Sequence, residues 1–308
     1  MSTVASARDS SLRRRVPTAM VYGLVVLAAI HFGEIFFLVA LVAGAILAYY
    51  ELWRLFARQP YALSLPGGVV LVLAFLIVHE VWAQVRLRGL DVSFEAGLFF
   101  SIVVGSVLAL GMMVGGGLAL ARRDLANGLL SSGLTILGSI YCGWLLGYLI
   151  DVASFGVIAA GPHVDPTSME GYLLQRSGLF LAILPTWAND VAAYGVGAAI
   201  GRRKLAPHVS PGKTWEGTIG GLIASIVVGY VLVALFDFPW WVGVGVGLIV
   251  GIVGPLGDLV ESAIKRAASV KDSGGLLPGH GGMLDRLDSL IFIAPAVAIF
   301  FELALRLS

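Results

Sequence analysis

Between Gly257 and Ser289 the chain reads GDLVESAIKRAASVKDSGGLLPGHGGMLDRLDS. This stretch holds Asp258, Asp272, Asp285 and Asp288, the further acid Glu261, the bases Lys265, Arg266, Lys271 and Arg286, and His280. Carboxylates suit a hard divalent cation, while basic side chains and glycine-rich backbone suit phosphate oxygens. Together they are the equipment of phosphoryl or nucleotidyl transfer, where positioning and charge stabilisation do most of the work. The flanks, Phe238–Leu256 and Leu290–Phe301, carry no charge. The charge is therefore expected at the edge of a membrane.

Within the stretch, Asp258, Glu261, Ser262 and Lys265 follow an i, i+3, i+4, i+7 pattern and share one helix face. Polar residues on one face of a membrane helix line a cavity or meet another polar face. Asp258 and Ser262 can offer two oxygens to one cation; Glu261 with Lys265 reads equally well as an intrahelical ion pair. Glycines on both sides of His280, including Gly281 and Gly282, let backbone N–H groups approach a phosphate. Asp285 and Asp288 open the next helix, where N-capping accounts for one of them but not both.

Two further groups lie upstream. Asp190 falls ten residues before the end of an apolar run at Ile200, about 15 Å along a helix. A carboxylate at that depth must be paired or face a wet cavity. Tyr194, at i+4, shares its face. The loop that follows reads KLAPHVSPGKTWEG, from Lys204 to Gly217. Its Gly212-Lys213-Thr214 is not a phosphate-binding P-loop, because position 207 is proline where that motif needs glycine and no strand precedes it. Ser210 or Thr214 can cap the next helix with Glu216 in its first turn. Lys213 has no role in a cap, since its charge opposes the helix dipole there. A phosphate at that position would be held by Lys213 and free backbone N–H groups together.

The elements that must position these groups are membrane helices. Of 308 residues, 58% are hydrophobic and 13% charged, with mean hydropathy +0.92, against about 25% charge in soluble domains. The net charge of +1 gives no basic field for nucleic acid. The single cysteine, Cys142, sits in an apolar run and has no intrachain partner for a disulfide. The long apolar runs lack period-2 alternation, so the expectation is an all-α polytopic membrane protein rather than a barrel.

About nine spans are expected: Val16–Gly33, Ile35–Tyr50, Leu63–Ala83, Gly97–Ala121, Asn127–Ile150, Leu174–Ile200, Gly217–Phe236, Trp240–Arg266 and Leu287–Leu305. A second apolar run follows the first almost at once, which argues against a cleaved signal peptide. Gly115-Gly116-Gly117 marks a kink or close packing, and residues 151–172 read as a long loop with two X-Pro turn signals. Residues 1–15 form a polar tail, 16–172 a scaffold of about five spans, and 173–308 the region that carries the motifs. With the N-terminus in the cytoplasm, 16 of the 20 Lys and Arg residues fall on the inside. That places the charged stretch at the cytoplasmic face of the inner membrane.

On these residues the chain resembles the phosphatidate cytidylyltransferases, also called CDP-diacylglycerol synthases. Their C-terminal signature, S-x-x-K-R-x4-K-D-x-[GSA]-x2-[LIF]-[PGS]-x-H-G-G-x-x-D-R-x-D, is met at every fixed position from Ser262 to Asp288. A second block, D-x-x-A-Y-x-x-G, then K-L-x-P-x-[IV]-S-P-x-K-T-x-E-G, is met by Asp190, Ala193, Tyr194 and Gly197 and by Lys204 through Gly217. Ala198 departs from the basic residue the family often has there; Arg202 or Arg203 could substitute. The resemblance is specific from about residue 185 onward and is only hydropathy before that.

The resemblance implies that CTP and phosphatidic acid give CDP-diacylglycerol and pyrophosphate, with Mg²⁺ and a second, monovalent cation such as K⁺. It places the metal centre on Asp258 and Asp285, with Ser262 nearby. It draws Asp190, Lys213, Lys265, Arg266, Lys271, Asp272, His280, Arg286 and Asp288 into catalysis, and Tyr194, Ser210, Glu216, Gly281 and Gly282 into substrate binding. The attacking phosphate is already ionised at neutral pH, so no general base is assigned to His280. The resemblance also implies a homodimer. The competing classes are an enzyme for another membrane lipid phosphate or alcohol, and an ion-coupled transporter. A transporter would place broken helices in corresponding halves, whereas the charge here is confined to the C-terminal third.

Overall fold

The computed structural model describes residues 20–87, 94–120, 124–160, 168–270, 273–274 and 281–307. In chain order the helices are α1 (Met20–Phe32), α2 (Glu34–Phe56), α3 (Leu65–Leu87), α4 (Phe94–Leu120), α5 (Leu125–Ser139), α6 (Leu145–Ala160), α7 (Met169–Ile200), α8 (Trp215–Leu235), α9 (Trp240–Ala267) and α10 (Leu284–Leu307). A π-helical turn, Ile140–Trp144, joins α5 to α6 without a break. Among the described residues, eight helical segments are long and apolar enough to cross a membrane. The protein is thus all-α and multi-pass.

The spans follow the apolar runs, with three corrections. The first run gives only the 13-residue α1 among the described residues, and Gly33 (φ 104°) alone separates it from α2. The fifth span does not end at Ile150: α6 continues to Ala160, and the acid at which the apolar run breaks, Asp151, is buried and paired with His79 Nδ1 of α3 at 2.6 Å. The expected loop shrinks accordingly, and its two X-Pro pairs lie outside the described residues. The glycine triplet does not interrupt α4. Gly115 packs on α5, where Ser132 Oγ donates to its carbonyl at 2.7 Å, and Gly116 and Gly117 meet nothing.

The expected loop after α7 is a small hairpin. Strands β1 (Lys204–Ala206) and β2 (Ser210–Thr214) pair antiparallel, Lys204 opposite Thr214 and Ala206 opposite Ser210. Trp215 N–H donates to Arg203 O at 2.9 Å and closes its base. The side chain of Thr214, not Ser210, caps α8 by accepting from Gly217 N–H at 3.2 Å.

The core runs through α2, α3, α6, α7, α9 and α10, with Tyr49, Leu146, Leu181, Val246 and Ile291 buried at its centre. Gly257 lets α9 and α10 meet closely: a Cβ there would lie 2.6 Å from Asp288 O. The C-terminal part of α7, the hairpin, the start of α8, the end of α9 and the start of α10 gather around one cleft.

Candidate active site

The cleft has a volume of about 520 Å³. Asp190 and Tyr194 enter it from α7, Ser210 and Lys213 from β2, Asp258 from α9, and Asp285, Arg286 and Asp288 from α10. Residues separated by almost a hundred positions thus line one space. Asp190 faces the cleft, while its neighbour Asn189 is buried and bonds Val250 O through Nδ2 at 3.2 Å. One turn of α7 therefore supplies both a scaffold contact and a cleft acid.

Two lysines neutralise the acids. Lys213 Nζ lies 2.7 Å from Asp258 Oδ2 and 3.4 Å from Pro255 O. Lys265 forms ion pairs with both Glu261 and Asp285, the latter at 2.6 Å. The intrahelical Glu261–Lys265 pair anticipated from spacing is therefore present, but its ammonium is shared with α10. Glu261 is fully buried.

Asp258, Glu261 and Asp288 each present a ligand atom, and all three atoms lie within 4.8 Å of one another. Like charges this close repel unless a cation lies among them or protons are taken up. Ser262 Oγ donates to Asp258 Oδ1 at 3.3 Å and orients it. Asp285 stands beside this group in a different setting. Its Oδ2 accepts from Gly282 N–H at 2.7 Å, Ser273 Oγ–H at 2.9 Å and Ser273 N–H at 3.3 Å. Gly281, with φ +77°, precedes this contact and has no room for a side chain: a Cβ would run into Asp285.

The remaining residues named from sequence have different surroundings. Glu216 takes the backbone N–H groups of Arg202 (3.1 Å) and Arg203 (3.2 Å) on its carboxylate, so its oxygens hold the base of the hairpin. Arg266 donates from Nε to Val209 O at 3.3 Å and ties the hairpin turn to α9. Tyr194 is 72% exposed and stands at the cleft. Ala198, where the family often has a basic residue, also lines the cleft. Lys271, Asp272 and His280 lie outside the described residues.

One acid read from sequence as an ion-pair partner has a second role, and another escaped the sequence reading. Glu261 has a place in the carboxylate group as well as in its ion pair. Glu51, near the end of α2, is buried against the signature: its Oε2 accepts from Leu284 N–H at 2.8 Å and Ser273 Oγ–H at 3.1 Å.

The arrangement can bind a cation among carboxylates and a polyphosphate along Lys213, Arg286 and nearby backbone. The profile of the cytidylyltransferase family matches residues 13–304. The chain belongs to that family. It is 32% identical over 298 residues to a protein named phosphatidate cytidylyltransferase from Bacillus subtilis, covering 96% of this chain and 98% of that protein. It is 34% identical over 292 residues to the uncharacterized protein YnbB of Escherichia coli, covering 85% of this chain and 95% of YnbB. A phosphatidate cytidylyltransferase of Staphylococcus haemolyticus shares 49% identity over 133 residues, 42% of this chain and 51% of its own. The cytidylyltransferase match spans nearly the whole chain, so it takes in the N-terminal helices where no motif was legible.

Proposed function

We propose that this protein is a phosphatidate cytidylyltransferase, joining CTP and phosphatidic acid into CDP-diacylglycerol with release of pyrophosphate. The observation that carries the reading is the convergence of the two motif blocks, Asp190–Gly217 and Ser262–Asp288, on one cleft in a multi-pass protein. In this mechanism an ionised phosphate oxygen of the lipid attacks the α-phosphorus of CTP, the P–O bond to the β-phosphate breaks, and pyrophosphate leaves with that electron pair. Lys213 and Arg286 hold phosphate oxygens, with Lys265, Arg266 and Lys271 as further cations of the same stretch. Holding both reactants in line and offsetting developing charge supplies the acceleration.

The residues present fit a divalent cation. Three carboxylates lie within 4.8 Å of one another, one of them fully buried, and together they offer the hard oxygen ligands such an ion takes. Asp258, with Glu261 and Asp288, would hold Mg²⁺, and Asp285 and Ser262 are close enough in the fold to take part, as the family resemblance implies. When bound, Mg²⁺ neutralises nucleotide phosphate charge. A second, monovalent cation belongs to the same proposal. Equilibrium binding of Mn²⁺ followed by electron paramagnetic resonance tests this set: Asp258→Asn should weaken binding, and unchanged affinity would remove Asp258 from it.

The cleft is placed at the cytoplasmic side, supported by the distribution of Lys and Arg. Cys142 is fully buried, so Ser210→Cys would offer a single accessible thiol. That thiol should react with an impermeant maleimide in inside-out vesicles; reaction only in right-side-out vesicles would reverse the topology. A homodimer belongs to the same proposal on the family resemblance, with α4, whose Gly105 is open, as the face to test, since Gly243 and Gly247 pack against α8 in the same chain. Gly105→Cys should cross-link between copies in membranes if α4 faces its twin; absence of any dimer by native mass spectrometry would end that proposal.

The reaction is tested by incubating the protein with labelled CTP and phosphatidic acid in detergent micelles. Labelled CDP-diacylglycerol is expected. Label passing instead to another lipid phosphate or alcohol would keep the nucleotide chemistry and change the acceptor.

A further inference from the structure

Glu51 belongs to the half of the chain in which the sequence shows no motif, yet it is 1% exposed and sits against the C-terminal signature. A buried carboxylate is costly unless its oxygens are met by donors. Here only Oε2 is met, by the backbone N–H of Leu284 at 2.8 Å and the hydroxyl of Ser273 at 3.1 Å, while Oε1 has no hydrogen-bond donor among the described residues. The same Ser273 hydroxyl lies 2.9 Å from Asp285 Oδ2. One hydroxyl carries one proton, so it serves either carboxylate in turn, while the N–H groups of Gly282 and Ser273 hold Asp285 independently. Glu51 is thus one hydrogen-bonded step from Asp285, and directly bonded to the residue that begins α10.

The backbone around Glu51 is shaped to admit it. A Cβ on Gly274 would lie 2.6 Å from Glu51 Oε1, and one on Gly282 would collide with the same carboxylate. Both glycines belong to the signature stretch. Their lack of side chains makes room for an acid delivered from α2.

We propose that Glu51 is a positioning residue for cytidylyl transfer: it fastens Ser273 and Leu284 to α2 and sets the carboxylate of Asp285 through Ser273. This rests on the function proposed above. It gives α2 a part in the chemistry besides scaffolding, through an acid that itself touches no substrate.

The experiment uses the full chain in detergent micelles, comparing wild type, Glu51→Ala and Glu51→Gln. It reads CDP-diacylglycerol formation from labelled CTP, thermal unfolding, and deuterium exchange of peptides covering Ser273, Gly282 and Leu284. Loss of an outer-shell partner lowers activity about 10- to 100-fold. That fall is expected in kcat for Glu51→Ala, with KM for CTP little changed and exchange faster at those amides. Glu51→Gln keeps an acceptor for Leu284 N–H and should recover most of the rate. Unchanged kcat and exchange in Glu51→Ala would overturn the proposal. So would equal impairment of both variants with matching losses of thermal stability, since that is what a merely structural acid gives. If Glu51→Ala does not fold, Ser273→Ala decides: it removes the hydroxyl that Glu51 and Asp285 share while leaving Glu51 on Leu284 N–H, and a wild-type kcat there overturns the proposal. Wild type that makes no CDP-diacylglycerol, combined with faster exchange in Glu51→Ala, would sink the assigned reaction while upholding the positioning role.

Discussion

Lys213 Nζ lies 2.7 Å from Asp258 Oδ2, linking the second strand of the hairpin, near its base, to the polar face of α9. Lys213 projects from a five-residue strand, and Asp258 sits on a helix of 28 residues that packs through other faces. On the proposed function, the pair sets the lysine offered to nucleotide phosphate beside the carboxylate offered to the metal, which is where a metal–nucleotide complex would need both.

Lys213→Ala should therefore damage catalysis more than stability. The side chains of the pair are 23% and 34% exposed, and ion pairs with this much solvent access contribute about 1 kcal/mol or less. The expected outcome is a raised KM for CTP or lowered kcat in a steady-state assay, with thermal unfolding nearly unchanged. A variant that chiefly unfolds would make the hairpin a structural element.

Asp285→Asn removes the charge that Lys265 shares between α9 and α10 while keeping an oxygen for Gly282 N–H. Turnover should fall by at least about 100-fold, with the protein still inserted and folded by gel filtration and circular dichroism. Near-normal turnover would take Asp285 out of the active site.

Glu216→Ala should behave as a structural lesion with a catalytic echo. Its carboxylate holds the N–H groups of Arg202 and Arg203 at a solvent-exposed site, so its loss should loosen the base of the hairpin while leaving global unfolding nearly unchanged. Faster proteolysis within residues 202–214 and a lower affinity for CTP are expected together. An affinity loss with the hairpin fully protected would instead mean that Glu216 touches nucleotide.

Gly257→Ala tests the closeness of α9 and α10. The added methyl would lie 2.6 Å from Asp288 O and 3.2 Å from the Phe292 ring, and overpacking of this kind costs about 1–3 kcal/mol. Thermal stability should drop, and activity should drop further, because Asp258 and Asp288 are the residues driven apart. Unaltered activity would show that their separation is not critical.

Much of this was legible because membrane helices are written in composition. Runs of about 20 apolar residues gave the spans, and the i, i+3, i+4, i+7 spacing gave the polar face of α9 before any geometry. What stayed hidden has local physical reasons. The hairpin strands carry Pro211 and Gly212, residues that read as turn rather than strand. The π-helical turn at Ile140–Trp144 changes hydrogen bonding, not residue type. Glu51 stands three residues from Arg54 at the end of an apolar run, where it resembles interfacial charge; only the packing of α2 on α10 shows that it points inward. Asp258 reads as a cation ligand from its helix face, but its grouping with Glu261 and Asp288 needs the approach of two helices, which Gly257 permits and no single-helix pattern could display.

The most direct test is the transfer reaction itself, measured with labelled CTP and phosphatidic acid in detergent micelles, with Mg²⁺ or with EDTA, for wild type and Asp258→Asn. Asp258 is common to the ion pair with Lys213 and to the carboxylate group. The account predicts labelled CDP-diacylglycerol from wild type only when Mg²⁺ is present, and almost none from folded Asp258→Asn. Product formed equally in EDTA, or equally by Asp258→Asn, would contradict a metal-assisted cytidylyl transfer in this cleft.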